Sequence, residues 1–147
     1  MKGLIILDWI GTLYGRNNGL FNYSKKVLEE LRSRNYKLVL VSIAGKGEET
    51  RNREIEESGL KPYLDEIVVG DGKNEEIFMR AINNVNASTK NTFVVGDRMK
   101  REISVGNKIG CKTYWIKNGD YAHETPNEET GQPTQTIKSL KDILQIL

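Results

Sequence analysis

Two aspartates, a serine and a lysine stand where this sequence can do chemistry: Asp8, Ser42, Lys73 and Asp97. Each falls at or soon after the end of a short apolar run. Leu4-Ile5-Ile6-Leu7 leads into Asp8, Leu38-Val39-Leu40-Val41 into Ser42, Ile67-Val68-Val69 toward Lys73, and Phe93-Val94-Val95-Gly96 into Asp97. One carboxylate can attack phosphorus while a second helps to hold a hard cation through oxygen. A hydroxyl and an ammonium can offset charge on transferring oxygens. Together they are what a phosphoryl site needs. Taken singly, each has a plainer reading. An aspartate after a strand often caps a helix or closes an Asx-turn, a serine there is usually structural, and a lysine usually lies at the surface. Their recurrence on successive run ends is what favours a shared site.

Continuous apolar runs bounded by turn signals suit strands buried on both faces, as in a parallel sheet. Such runs cover 4–7, 37–42, 66–69, 91–95 and 112–116. After the first comes a loop, Tyr14 to Phe21, rich in glycine and asparagine. Asn22 or Ser24 is placed to cap a helix over Lys25 to Arg34, with Val27, Leu28 and Leu31 at helical spacing. Ala44-Gly45-Lys46-Gly47 makes a glycine-rich break before a helix from Glu48 to Ser58, stopped by Gly59. Lys73 opens a helix whose apolar face is Ile77, Phe78, Ala81, Ile82 and Val85, and another helix runs from Lys100 to Ile109 with Gly110 closing it. Residues 117–136 read as a long polar loop, and 137–147 as a final amphipathic helix. Strands alternating with helices predict an α/β fold, a doubly wound parallel sheet in three layers, with ligands bound at the carboxyl edge.

A chain of 147 residues fits a single domain spanning 1–147. A net charge of +2, with basic residues mixed among acids, argues against nucleic acid as a partner. The lone cysteine, Cys111, excludes an internal disulfide framework and reads as a small buried thiol. No apolar stretch is long enough to span a membrane, and the first residues read as a strand and not a cleaved signal. A cytoplasmic location is the expectation.

The run Asp8-Trp9-Ile10-Gly11-Thr12-Leu13, the strand closing on Ser42, Lys73 ahead of a helix, and Gly96-Asp97 followed by Glu102 occur in this order with strands between them. In that order they resemble the four motifs of the haloacid dehalogenase (HAD)-like hydrolase superfamily, mostly phosphatases. The resemblance implies a Rossmann-like core with Asp8 as nucleophile. It also implies Mg²⁺ held by Asp8, the backbone carbonyl of Ile10 and Asp97, with Glu102 an outer-sphere or occasional ligand. Ser42 and Lys73 would bind the phosphoryl oxygens, helped by Thr12 and the turn amides around Gly11. The gaps between motifs leave no room for a cap domain, so a neighbouring subunit or a macromolecular substrate is expected to cover the site, and a homo-oligomer is expected with it. The substrate would be a small phosphorylated molecule or a phosphorylated macromolecule.

The family's phosphatases carry a second aspartate two residues after the nucleophile, as general acid and then base. Here that residue is Ile10. The loss costs about 10²–10⁴-fold for leaving groups that need a proton, and far less for a good anion. Two readings follow: a hydrolase restricted to such leaving groups, or a pseudo-phosphatase that binds Mg²⁺ and a phosphorylated ligand or partner without turnover. A receiver-like domain is a third reading, but receivers lack the Gly-Thr-Leu that follows Asp8. Asp71 fits a tight turn better than an acid role. Tyr14, Arg16 and Asn17 can touch substrate from their loop, and His123, the only histidine, is a remote candidate for a base at the rim.

Overall fold

The computed structural model describes every residue except Lys46, which belongs to the glycine-rich break read above. Six parallel strands form one sheet in the order β5-β4-β1-β6-β7-β8. They are β1 (Gly3–Leu7), β4 (Tyr36–Ile43), β5 (Glu66–Gly70), β6 (Thr92–Gly96), β7 (Lys112–Ile116) and β8 (Gln135–Ile137). A separate antiparallel hairpin, β2 (Tyr14–Gly15) with β3 (Gly19–Leu20), follows β1 where a loop is predicted.

Successive side chains of a strand point to opposite faces, and here both faces are apolar. Ile5, Leu7, Leu38, Leu40 and Val95 meet α1 (Ser24–Ser33) through Val27, Leu28 and Leu31, and α2 (Glu48–Glu57) through Ile55. Leu4, Ile6, Val39, Val41 and Val94 meet α3 (Glu75–Asn84) through Phe78, Ala81 and Ile82. Val105 and Ile109 of α4 (Ser104–Ile109) pack on the same side. The result is a three-layer, doubly wound α/β fold, as the alternation predicts. Among the described residues, only the hairpin and α1 separate β1 from β4, and only α2 and one 3-10 turn separate β4 from β5. Among the described residues, no helix is long and apolar enough to cross a membrane.

Four local expectations are corrected. Ser24 does not cap α1: its hydroxyl donates instead to the Leu13 carbonyl at 2.7 Å, and Tyr23 occupies the cap position without a side-chain bond. The helix expected over 100–109 begins as a π-type turn, Met99–Ile103, broken at Arg101 before α4 starts. Residues 135–137, assigned to the long loop and the start of the last helix, form the edge strand β8. The final helix is a 3-10 turn, Leu140–Gln145, opened by a Ser139–Asp142 capping box. Its Leu140 and Ile143 still close the core beneath α1.

Candidate active site

A parallel sheet brings all its carboxyl ends to one side, and register decides which residues meet there. The Asp8 amide donates to the Val95 carbonyl at 3.2 Å, extending the β1–β6 pairing by one residue and setting Asp8 beside the end of β6. Asp97 follows that end directly, and its backbone carbonyl accepts from the Trp115 indole at 3.0 Å. Ser42 is the penultimate residue of β4, and Lys73 lies three residues beyond β5.

Lys73 reaches the crevice. Its Nζ donates to Asp8 Oδ1 at 2.5 Å and to Glu102 Oε1 at 2.9 Å, and all three side chains are nearly inaccessible. Burial alone would lower the Lys73 pKa, but the Asp8 and Glu102 carboxylates outweigh it and hold the ammonium above its ordinary 10.5. Glu102 uses its other oxygen to accept from the Arg98 amide at 2.9 Å. Burial first, then the Asp8 charge, raise the Glu102 pKa.

Asp97 is the member without support. Its Oδ1 is buried with no partner among the described residues. Burial, and then the charges of Asp8 and Glu102, push its carboxyl up from 3.8 to about 9. An orphaned carboxylate oxygen beside two further acids is a hole for positive charge. Asp8, Asp97 and Glu102 can each offer one oxygen with the three lying within 4.8 Å of one another, a donor set suited to a hard divalent cation.

Two glycines keep the cluster tight. Gly11 has φ +87°, and a Cβ there would run into the Asp97 carboxylate. A Cβ on Gly96 would collide with Glu102. The amides of Gly11 and Thr12 donate within the turn, to the carbonyls of Tyr14 at 2.8 Å and Trp9 at 3.2 Å. Among the described residues, the turn amides left without an acceptor are those of Trp9 and Ile10. The Thr12 hydroxyl is buried and also without a partner.

Ser42 is buried beside Asp8, but not alone. Its Oγ accepts from Arg51 Nη1 at 2.5 Å. Both line a cavity of about 240 Å³ together with Asp8, Lys73 and Asp97. A second cleft, of about 550 Å³, lies on the other side of Ile10 and Asp97, between the hairpin and the 118–121 and 138–141 segments. Sequence reasoning missed Arg51, Arg98, Arg101 and Tyr121, which all line the smaller cavity. Arg51 gave no signal, since α2 is charged around most of its circumference and only packing selects which face meets the sheet. Arg16 lines both cavities and Asn17 the larger. Asp71 and His123 are exposed and outside both linings among the described residues. Cys111 is buried, with its thiol pushed up to about 12 by that burial.

The HAD-hydrolase-like family profile matches residues 69–143, from the end of β5 to the last turn. The chain belongs to this HAD-like hydrolase family. Pyrimidine 5'-nucleotidase PynA of Streptococcus pneumoniae is 29% identical over 97 residues, covering 62% of this chain and 39% of PynA. The HAD-like chain thus spans about two fifths of the length of the first curated relatives it matches. The D,D-heptose 1,7-bisphosphate phosphatase of B. bronchiseptica, solved with magnesium and phosphate, superposes with a TM-score of 0.76 at 16% identity, covering 99% of both chains. An uncharacterized protein from Listeria monocytogenes serotype 4b reaches 0.78 at 18% identity, covering 98% of this chain and 96% of its own. At these identities the two structures share its fold.

Proposed function

We propose that this HAD-like chain is a Mg²⁺-dependent, phosphatase-type hydrolase working through an aspartyl nucleophile at Asp8. The observation that carries the reading is the Lys73 ammonium bonded to both Asp8 and Glu102, beside a buried, unpaired Asp97. Asp8, the Ile10 carbonyl and Asp97 would hold the ion, with Glu102 outside them because both its oxygens are already engaged. When bound, Mg²⁺ would neutralise the Asp8–Asp97 pair and draw charge from the phosphoryl oxygens.

Lys73 fixes the rotamer of Asp8 and offsets charge on the transferred group. The Ser42 hydroxyl accepts from Arg51 and donates to the Ile43 carbonyl at 3.2 Å, a long bond that it would exchange for one to a phosphoryl oxygen. The spare amides of Trp9 and Ile10 are placed to donate there too. An Asp8 carboxylate oxygen bonds phosphorus as the bond to the leaving oxygen breaks. Water then adds to the aspartyl phosphate and returns the carboxylate. With Ile10 in place of an acid, the leaving group must depart as an anion. PynA and the heptose bisphosphatase act on phosphate monoesters by their names, and the same reaction class is assigned here with that restriction. The 147 residues are read as one capless domain, whose open mouth a second subunit or a large phosphorylated substrate would cover.

The test is phosphate release from acetyl phosphate with Mg²⁺. Asp8→Asn is expected to lose at least about 10³-fold, the scale of removing a nucleophile; unchanged turnover would exclude Asp8. Ile10 also supports a second reading, a pseudo-phosphatase that binds Mg²⁺ and a phosphorylated ligand without turnover. Calorimetric binding with no phosphate released across a broad panel would favour it.

A further inference from the structure

Four arginines, Arg16, Arg51, Arg98 and Arg101, line the 240 Å³ cavity besides Lys73. They differ in how they are neutralised. Arg98 is clamped by buried Glu124 through bonds of 3.1 and 3.2 Å and stacks on Tyr121. Arg16 reaches Asp120 at 3.4 Å, but both side chains are mostly exposed and such a pair is weak. Arg101 enters the lining from the break in the π-type turn and forms no ion pair among the described residues.

Arg51 is the built one. Its side chain is 13% exposed. Nη1 donates to Ser42 Oγ at 2.5 Å and to the Ile43 carbonyl at 2.8 Å, and Nε lies 3.3 Å from Glu54 Oε1. The same Glu54 oxygen accepts from the indole of Trp9 at 2.6 Å, so the arginine is tied both to the strand bearing Ser42 and to the residue after Asp8. Nη2 has no hydrogen-bond partner among the described residues. A Cβ on Gly45 would stand only 2.9 Å from it, so the glycine leaves this nitrogen room. A guanidinium held at two corners with the third free is a preorganised oxyanion receptor.

We propose that Arg51, seconded by Arg101, reads a second phosphoryl group, so that the preferred substrate is a phosphoanhydride. This deepens the hydrolase reading above and rests on it. Lys73 and a divalent ion carry three positive charges against the three of Asp8, Asp97 and Glu102, so phosphoryl charge falls to the arginines. Arg51 and Arg101 enter the cavity from separate elements, α2 and the turn after β6, so an anion with two phosphoryl groups meets more of them than one phosphate does. Ile10 agrees with this. Asp8 bonds the terminal phosphorus, the bond from that phosphorus to the bridging oxygen breaks, and the electron pair stays on the bridging oxygen of a departing phosphate anion. No proton is needed at that oxygen. Water then cleaves the aspartyl phosphate, its oxygen going to phosphorus and its proton leaving with inorganic phosphate or solvent.

The experiment is calorimetric titration of the full chain, in fixed excess Mg²⁺, with methylenediphosphonate and separately with inorganic phosphate. The non-hydrolysable diphosphonate is expected to bind at least about tenfold tighter than phosphate. Arg51→Gln should cut that ratio about tenfold, the loss of a charge-assisted bond. Arg101→Gln, at an exposed position, should cut it about threefold and carries the test if Arg51→Gln does not fold. Phosphate binding with a ratio near one, or a ratio unmoved by the folded variants, overturns the second phosphoryl group while leaving the hydrolase reading intact. Failure to bind phosphate at all, with acetyl phosphate hydrolysis indifferent to Asp8→Asn, overturns both.

Discussion

Ile10 sets the limit on chemistry at the residue scale. It is half-buried and lines both clefts, at the junction between the smaller cavity and the larger one. Under the proposed mechanism an acid at this point would stand beside the leaving group, and would remain partly solvated. Ile10→Asp is therefore expected to raise turnover of sugar phosphates by about 10²-fold, while acetyl phosphate, whose leaving group needs no proton, changes little. Phosphate release measured on both substrates checks this. Ester turnover that stays at background would mean that more than the acid has been lost. Gly11 and Gly96 act at the same scale, since the cluster of acids exists only because neither carries a Cβ.

At the scale of elements, the segment after β6 matters most. The π-type turn brings Glu102 back under Lys73 and sends Arg98 outward to the 117–134 loop. This loop is tied down: Glu124 grips Arg98, Asn107 donates to the Thr130 carbonyl at 2.8 Å, and the Thr113 amide donates to Thr134 Oγ1 at 2.9 Å. Glu124→Ala would strand a largely buried guanidinium. Breaking such a pair costs about 3–5 kcal/mol, so a lower midpoint in urea and faster amide exchange over 118–125 are expected, read by denaturation and hydrogen exchange. A loop that exchanges no faster in this variant would show that Arg98–Glu124 does not hold it.

At the scale of the whole molecule, the acid cluster couples global stability to pH. In the metal-free protein, Asp97 keeps its proton up to about 9, whereas in the unfolded chain it ionises near 3.8. Between these values the folded state binds the extra proton, so stability is highest on the acid side and falls as pH rises toward 9. The slope approaches about 1.4 kcal/mol per pH unit if one full proton is taken up. Thermal midpoints in chelator from pH 5 to 8.5 should decline accordingly, and Asp97→Asn should flatten the decline. A midpoint rising with pH would contradict this account of the cluster.

Five of the six strands were legible in the sequence as apolar runs: the four central ones because strands buried on both faces must be apolar, and the half-buried edge strand β5 through its Ile67-Val68-Val69. The site acids were legible because they interrupt those runs. Ser42, Lys73, Asp97 and Asp8 could thus be placed on one edge from topology alone. Residues whose environment is set by contact were not legible. Gln135-Thr136-Ile137 is a polar edge strand paired on one side only, so its composition reads as loop. Ser24 has the composition of a cap and serves instead as a buried tie to Leu13, a distinction that exists only once the turn after β1 has closed. The local order of residues determined the sheet and the positions of the acids along it. Only the tertiary structure decided that Lys73 bridges Asp8 and Glu102, that Asp97 is left unpaired, and that Arg51 faces Ser42. Those facts depend on distances between segments far apart in the chain, and charge balance in a buried site is a property of such distances.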